Sequence, residues 1–195
     1  MQLVYQDEYL SSNTEDYMRG DGVLEIQLIS NEFIILNLDG SLFEKFTFNT
    51  NDYLTQNGIN HIIGRKFIPE EDFLSLIFDS NFYNENDKFI MIYVNENLKK
   101  IEKSKYDVSF SIWIDYIKLS YIKLKKNNLL EVKSNFGYEL SEESIKNIYI
   151  VKEVIEDELI LVSTSTGCYR RFNDVEGKVK WKKADKLLID ICVID

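Results

Sequence analysis

The chain has 195 residues and a formal net charge of −10, from 33 acidic and 23 basic side chains. Hydrophobic residues make up 45% and charged residues 29%, which is typical of a soluble globular protein and excludes a disordered chain. One proline, eight glycines and two cysteines exclude a collagen-like or disulfide-framed protein, and the 12 tyrosines and 12 phenylalanines favour strands.

The first predicted elements are antiparallel strands in the N-terminal quarter of the chain. Residues 24–28 alternate between apolar and polar side chains, a period of two that predicts a strand with one solvent-facing side. A second apolar run, 33–38, leads into Asp39-Gly40, a strong hairpin signal, so we expect the return strand over 42–48. The residues expected on its inner face are Leu42, Phe46 and Phe48.

A helix is predicted next, because Pro69 is followed by three acidic residues, as at many helix N-termini. Its apolar stripe would include Leu76 and Ile77, and it would end at residues 79–81. Strands are predicted over 88–94 and 106–114. The second of these strands would turn four apolar side chains inward: Val108, Phe110, Ile112 and Ile114.

The remainder of the chain is predicted to be mostly strands. Residues 115–126 fit both a helical stripe and a strand, so their conformation stays open. The elements expected beyond residue 128 are a short helix from Ser141, strands over 148–155, 159–163, 168–172, 179–181 and 187–193, and a turn at Glu176-Gly177.

Together these elements predict a strand-rich α+β fold, with antiparallel sheets or a partial barrel and a few short helices. The chain would form a single globular domain over 1–195, or two subdomains that meet near 127–141. In the second case, an acidic α+β part over 1–128 would precede a mostly β part over 134–195.

The sequence also predicts the cellular location of the protein. The segment from Met1 has neither the positive region nor the apolar region of a signal peptide. Its apolar runs are much shorter than the ~20 residues of a membrane span. Cys168 and Cys192 form no CxxC pair, so we expect reduced thiols, although a disulfide between them stays open. We therefore expect a cytoplasmic protein that does not enter a membrane.

Catalytic and metal-binding motifs are scarce. His61 is the one histidine, and nothing local supports pairing it with Cys168 as a nucleophile and base, so we expect a structural or surface role. One histidine and two separated cysteines do not favour a metal site. The chain also lacks both common glycine-rich phosphate-binding motifs. We therefore expect no enzymatic activity, no cofactor and no metal ion.

An enzyme alternative rests on one short pattern. Asp115 followed by Glu131-Val132-Lys133 resembles the acid-then-ExK arrangement of restriction-type metal-dependent nucleases. The resemblance implies that the two carboxylates would hold a divalent ion while Lys133 orients the attacking water. However, Ile114 stands where that family usually has proline, and a second ExK occurs at Glu176-Gly177-Lys178.

A second alternative is a nucleic-acid-binding β domain that uses the basic segment 169–186. Basic residues beside aromatic ones can track phosphates and stack on bases. An alternating lysine pattern is equally typical of the solvent face of a strand, and the net charge does not favour nucleic acid. The residues that would have to share one face are Arg170, Arg171, Lys180, Trp181 and Lys182.

The favoured interpretation comes from the distribution of charge. Residues 1–98 carry 17 acidic and five basic side chains, a net charge of −12, whereas 99–135 carry +5 and 136–195 carry −3. An acidic surface with tyrosine anchors suits docking onto a basic protein, as in inhibitors or immunity proteins that neutralise toxins. The candidate docking residues are Asp7, Glu8, Tyr9, Glu15, Asp16, Tyr17, Asp21, Tyr53, Glu70, Glu71, Asp72, Tyr83, Glu85 and Asp87.

Overall fold

The chain divides into two compact units. In the computed structural model, one unit comprises Met1–Glu15 and Arg19–Ile112, and the other comprises Asp16–Met18 and Trp113–Asp195. The residues that the structure describes are 10–12, 17–49, 55–69, 74–126, 148–164 and 176–192. The subdomain boundary predicted near 127–141 lies outside the described residues, as does the helix predicted from Ser141.

The first unit is built from strands. They are β1 (Leu10–Ser12), β2 (Gly22–Leu28), β3 (Glu32–Leu36), β4 (Leu42–Phe48), β5 (Thr55–Asn57), β6 (Ile62–Gly64), β7 (Lys66–Pro69), β8 (Leu74–Ser80), β9 (Phe89–Val94), β10 (Asn97–Glu102) and β11 (Tyr106–Ile112). Nine of them form an antiparallel sheet in the order β11-β2-β8-β9-β10-β3-β4-β5, with β7 also paired to β8. The remaining two, β1 and β6, pair in parallel. The predicted antiparallel, strand-rich character of the chain is therefore confirmed.

One face of this sheet forms the core of the unit. Side chains alternate between the two faces of a strand, so every second residue of β2, β3 and β4 points inward. The sheet curls over its own inner face, because the ring of Phe33 on β3 lies 5.8 Å from that of Phe78 on β8. The ring of Phe33 also contacts Tyr106 of β11 edge-on, with the centroids 5.4 Å apart.

The Tyr106 hydroxyl of β11 stabilises the curled sheet by bonding the backbone of β3. Strand β10 pairs with β3 only where Lys100 lies opposite Leu36. Next to that point, the Tyr106 hydroxyl accepts the Ile34 N–H at 2.8 Å and donates to the Ile34 carbonyl at 3.3 Å. One phenol therefore satisfies two backbone groups of β3 where strand pairing ends.

The helix predicted from Pro69 is wrong. Pro69 ends β7, and Leu74–Ser80 form β8, in which all seven residues are buried. Both edges of the strand are paired, one with β2 and the other with β7 and β9, and the burial of every residue shows that both of its faces are also covered. A strand that is buried on both faces loses its apolar–polar alternation, and the acidic residues after the proline then mimic a helix start.

The predicted hairpin is confirmed, but with a shift in register. Strands β3 and β4 pair around a turn in which Gly40 has a φ of +94°. The pairing shifts between Ile35 and Leu36, where a bulge inserts an extra residue into β4. Leu42 is consequently 60% exposed, so its predicted inward position is wrong, whereas Phe46 and Phe48 are buried as expected.

A helix begins where the predicted strand over 106–114 would have continued. Strand β11 ends at Ile112, and α1 spans Trp113–Lys118. Ile112 and Ile114 are therefore exposed rather than inward. This six-residue segment is the one α-helix among the described residues, so the fold there is mostly β. No helix in the described part of the chain is long and apolar enough to cross a membrane.

The second unit is also antiparallel. Its described strands are β12 (Tyr121–Leu124), β13 (Ile148–Ile155), β14 (Glu158–Thr164), β15 (Glu176–Lys180), β16 (Lys182–Lys183), β17 (Lys186–Leu187) and β18 (Ile189–Cys192). Five of them form a sheet in the order β15-β14-β13-β12-β18, and β16 pairs with β17. The strands predicted over 148–155 and 159–163 are confirmed as β13 and β14, but the turn expected at Glu176-Gly177 is wrong because these residues begin β15.

Replacing Tyr106 tests the role of its hydroxyl. Y106F keeps the ring but leaves both backbone groups of Ile34 without this partner, so the free energy of unfolding should fall by about 1–3 kcal/mol. Y93F, at a half-exposed position of β9, should change it by less than about 0.5 kcal/mol. Equal losses in urea unfolding of the two variants would show that the hydroxyl does not fasten the sheet.

The same residue gives a pH dependence. Burial raises the pKa of Tyr106 above 10.0, and the nearby carboxylates of Glu32 and Glu102 raise it further. The raised pKa means that this contribution to stability is complete below pH 10.0 and is lost as the pH rises through the folded-state pKa. Unfolding measured from pH 9 to pH 11 should therefore show a steeper alkaline loss for the wild type than for Y106F, and parallel curves would contradict this.

Candidate protein-docking site

The loop between β8 and β9 carries the most exposed aromatic side chain of the described residues. We call residues 81–88 the Phe82 loop. Phe82 is 63% exposed, whereas Tyr83 is half-buried. Glu85 and Asp87 are exposed on the same loop, and Asp21 lies beside it. The structure therefore brings together four of the predicted docking residues, namely Asp21, Tyr83, Glu85 and Asp87.

Phe82 is held from both its backbone and its ring. Its N–H donates to the Asp21 carboxylate at 2.9 Å. Its ring meets that of Phe110 on β11 edge-on, with the centroids 5.8 Å apart, and the Tyr83 ring makes a second edge-on contact with Phe110 at 6.0 Å. An exposed aromatic ring with a fixed backbone and a fixed base is pre-organised to contact a partner.

The rest of the loop is fixed by polar contacts. The Asp87 carboxylate accepts the Asn84 N–H at 2.8 Å, which closes the tip of the turn. The Lys103 ammonium donates to the Glu85 carbonyl at 2.9 Å and lies 5.0 Å from the Tyr83 ring. Burial also raises the pKa of the Tyr83 phenol. The loop therefore presents carboxylates around a defined aromatic surface.

The segment before β2 is positioned by a glycine. Gly20 has a φ of +64°, and a Cβ there would lie 2.5 Å from the Ser80 carbonyl oxygen. This close approach lets the Asp21 N–H donate to the same oxygen at 2.9 Å. Glycine is required on both counts, because side chains disfavour that φ and would collide with the end of β8.

A buried ion pair lies where β8 enters the loop. The Arg65 guanidinium donates to both oxygens of the Asp79 carboxylate, at 2.7 and 2.6 Å, and the carboxylate also accepts the Arg19 N–H at 3.1 Å. Asp79 is only 3% exposed. A charge buried to this degree needs paired donors, so Asp79 draws the segment from Arg19 to Asp21 against the end of β8.

The other predicted docking residues belong to the second unit or lie outside the described residues. Tyr17 belongs to the second unit, where it is 51% exposed and forms a bridge with Lys186. The remaining predicted residues lie outside the described ranges: Asp7, Glu8, Tyr9, Glu15, Asp16, Tyr53, Glu70, Glu71 and Asp72. Seven of these nine residues are acidic. With Asp52, they bring the number of acidic residues of 1–98 that lie outside the described ranges to eight of 17.

Phe82 itself was missed by the sequence reasoning. Its neighbours are Asn81, Tyr83 and Asn84, and a phenylalanine among polar residues can equally well be a core residue. The signal that could have found it is the run of asparagine and acidic residues from 81 to 87, which predicts a loop. A large apolar side chain within a polar loop has few ways to be buried.

The described residues do not test the nuclease-like arrangement or the thiol–base pair. Asp115 is exposed on α1, with its carboxylate 3.6 Å from the Lys118 ammonium. Glu131, Lys133 and Cys168 lie outside the described residues, and His61 is exposed. Within the described ranges, no cluster of histidine, cysteine and carboxylate side chains could hold a metal ion.

The basic segment 169–186 offers no exposed tryptophan. Trp181 has no exposed surface, and its indole N–H donates to the Glu156 carbonyl at 3.1 Å. The Lys180 ammonium lies 2.9 Å from the Asp157 carboxylate. This contact lowers the pKa of Asp157 and raises that of Lys180. The buried Trp181 therefore cannot stack on a base, and Arg170 and Arg171 lie outside the described residues.

Comparisons with known proteins do not assign the chain to a family. No family model, no curated protein and no solved structure matches it. A functional interpretation therefore rests on the chemistry of the described residues.

Breaking the buried ion pair should destabilise the first unit strongly. D79N leaves the Arg65 guanidinium buried without its charge partner, so the free energy of unfolding should fall by about 3–5 kcal/mol. The double variant R65M/D79L removes both charges and should lose less than D79N. D87N, at an exposed position of the Phe82 loop, should lose less than about 1 kcal/mol, and equal losses for D79N and D87N would contradict this account.

Tryptophan fluorescence tests the burial of Trp181. W113F leaves Trp181 as the only tryptophan, because the chain has two. We expect a blue-shifted emission that single-stranded oligothymidylate does not quench at low salt, since a base stacks only on an accessible ring. Quenching by the oligonucleotide would restore the nucleic-acid alternative.

Proposed function

We propose that the chain is a non-enzymatic interaction module that binds a basic protein through the Phe82 loop. Its most concrete role is that of an inhibitor or immunity-type protein that neutralises a basic toxin or nuclease. The observation that supports this proposal is an aromatic ring, 63% exposed, fixed beside Asp21 and on the same loop as Glu85 and Asp87.

The two kinds of side chain would contribute differently to binding. Burial of an exposed phenylalanine ring contributes about 1.5–3 kcal/mol, which makes Phe82 the affinity anchor. The carboxylates of Asp21, Glu85 and Asp87 would attract a basic surface and accelerate the encounter. The net charge of −12 over residues 1–98 adds a long-range field of the same sign.

Capture from a lysate of the source organism tests the proposal when two matched variants are compared. F82S removes the anchor, and I59S removes an apolar side chain that is 89% exposed on another loop of the same unit. We expect the wild type and I59S to retain the same basic protein and F82S to lose it. Raising the salt concentration should weaken capture, because the carboxylates act through screened charge.

Two results would contradict the proposal. One is a partner that F82S and I59S retain equally, because the Phe82 loop would then not be the contact. The other is a partner that is acidic or insensitive to salt, because charge attraction would then not guide binding. If the partner is an enzyme or toxin, stoichiometric addition of the wild type, but not of F82S, should suppress its activity.

A further inference from the structure

Strand β11 ends the nine-stranded sheet next to the Phe82 loop. All of its residues pair with β2, from Tyr106 opposite Leu28 to Ile112 opposite Gly22. Within the described residues, no strand pairs with its other side. Asp107 and Ser109 are exposed, and Ile112 is 44% exposed. In the described part of the chain, the outer edge of β11 is therefore left unpaired.

This edge lacks the usual protection against pairing. Natural proteins protect edge strands with lysine, proline or bulges, because unpaired backbone N–H and C=O groups accept another strand. Strand β11 reads Tyr-Asp-Val-Ser-Phe-Ser-Ile, with neither lysine nor proline. Its register with β2 is continuous over seven pairs, without a bulge. Because no bulge interrupts the strand, its edge can pair with a further strand along its length.

The two sides of the edge differ in chemistry. Val108 and Phe110 pack against the core, Ile112 continues their alternation but is exposed, and Phe110 contacts both rings of the Phe82 loop. Asp107, Ser109 and Ser111 alternate with them on the opposite side. Glu25 of β2 lies directly opposite Ser109, and its carboxylate accepts the Ser75 hydroxyl of β8 at 2.8 Å, so Asp107 is the carboxylate that β11 itself offers.

We propose that β11 receives an extended segment of the basic partner as an added strand. Backbone hydrogen bonds along an exposed edge supply affinity, and alternate side chains supply specificity. The segment would alternate apolar residues, which meet Val108 and Ile112, with lysine or arginine, one of which meets Asp107. This inference rests on the proposed function and specifies the part of the partner that is recognised.

Charge selects a foreign basic segment over a second copy of the chain. Two β11 edges pairing antiparallel would bring together two strands that each carry Asp107 and no basic residue. Each copy also carries a net charge of −10. Like charges across such a contact disfavour it, whereas opposite charges favour it.

A synthetic peptide that alternates lysine and valine, with blocked ends, tests strand addition directly on the full chain. Its matched control is the same peptide with alternate residues N-methylated, which keeps the charge but removes backbone donors. We expect N-methylation to weaken binding by at least about tenfold in titration calorimetry. Equal affinities would show that the peptide binds through charge alone and would overturn the proposal.

Two serine-to-lysine variants locate the site. S109K places a lysine on the edge, whereas S104K makes the same charge change at an exposed position of the 3₁₀ turn before β11. We expect S109K to weaken peptide binding about tenfold or more and S104K to weaken it less than about threefold. Equal effects of the two variants would overturn the proposal. A wild-type dimer, detected by light scattering and dissociated by S109K, would also overturn it, because β11 would then pair with another copy of the chain.

Hydrogen exchange of the captured complex separates this inference from the proposed function. Amides of 106–112 should exchange at least about tenfold more slowly in the complex than in the wild type alone. A complex that depends on Phe82 but leaves exchange in 106–112 unchanged would overturn strand addition and leave the Phe82 loop as the contact. If no partner depends on Phe82, the proposed function fails, and the peptide titrations still decide whether β11 accepts a strand.

Discussion

The buried carboxylate of Asp79 is the constraint on which the candidate site depends. It lies on the outer face of β8, a strand covered on both faces, so water cannot solvate it. Arg65 neutralises it through two hydrogen bonds, and the Arg19 N–H supplies a third. The same requirement draws the chain before β2 against the end of β8, where Asp21 reaches the Phe82 backbone. The need to neutralise the buried Asp79 carboxylate therefore positions the Phe82 loop at the surface.

Two further features make this surface suitable for recognition. The curled sheet brings Phe110 of β11 beneath the loop, so that Phe82 and Tyr83 stand on a firm base. The edge of β11, which no described strand pairs, continues from that base and carries Asp107 and two serines on its outer side. An exposed ring, neighbouring carboxylates and an accessible strand edge are therefore adjacent parts of one unit, and together they favour an extended, basic partner segment.

Much of the strand content was predictable from the sequence, because alternation and the Asp39-Gly40 turn depend only on local residues. Strand β8 was not predictable, because its burial on both faces weakens the apolar–polar alternation. The acidic segment after Pro69 also resembles a helix start. The bulge that exposes Leu42 also depends on pairing between strands. For the candidate site, the charge pattern and its neighbouring tyrosines predicted Asp21, Tyr83, Glu85 and Asp87, but the exposure of Phe82 depends on where Asp21 and Phe110 lie, which is a long-range property.

The central claim is that Phe82 anchors a partner that carboxylates attract, and the kinetics of the complex test it most directly. Association and dissociation rates would be measured over a range of salt concentrations for the wild type, F82S and the triple variant D21N/E85Q/D87N. The account predicts that F82S speeds dissociation with little effect on association, whereas the triple variant slows association and flattens its salt dependence. Unchanged dissociation in F82S, or salt-independent association of the wild type, would contradict it.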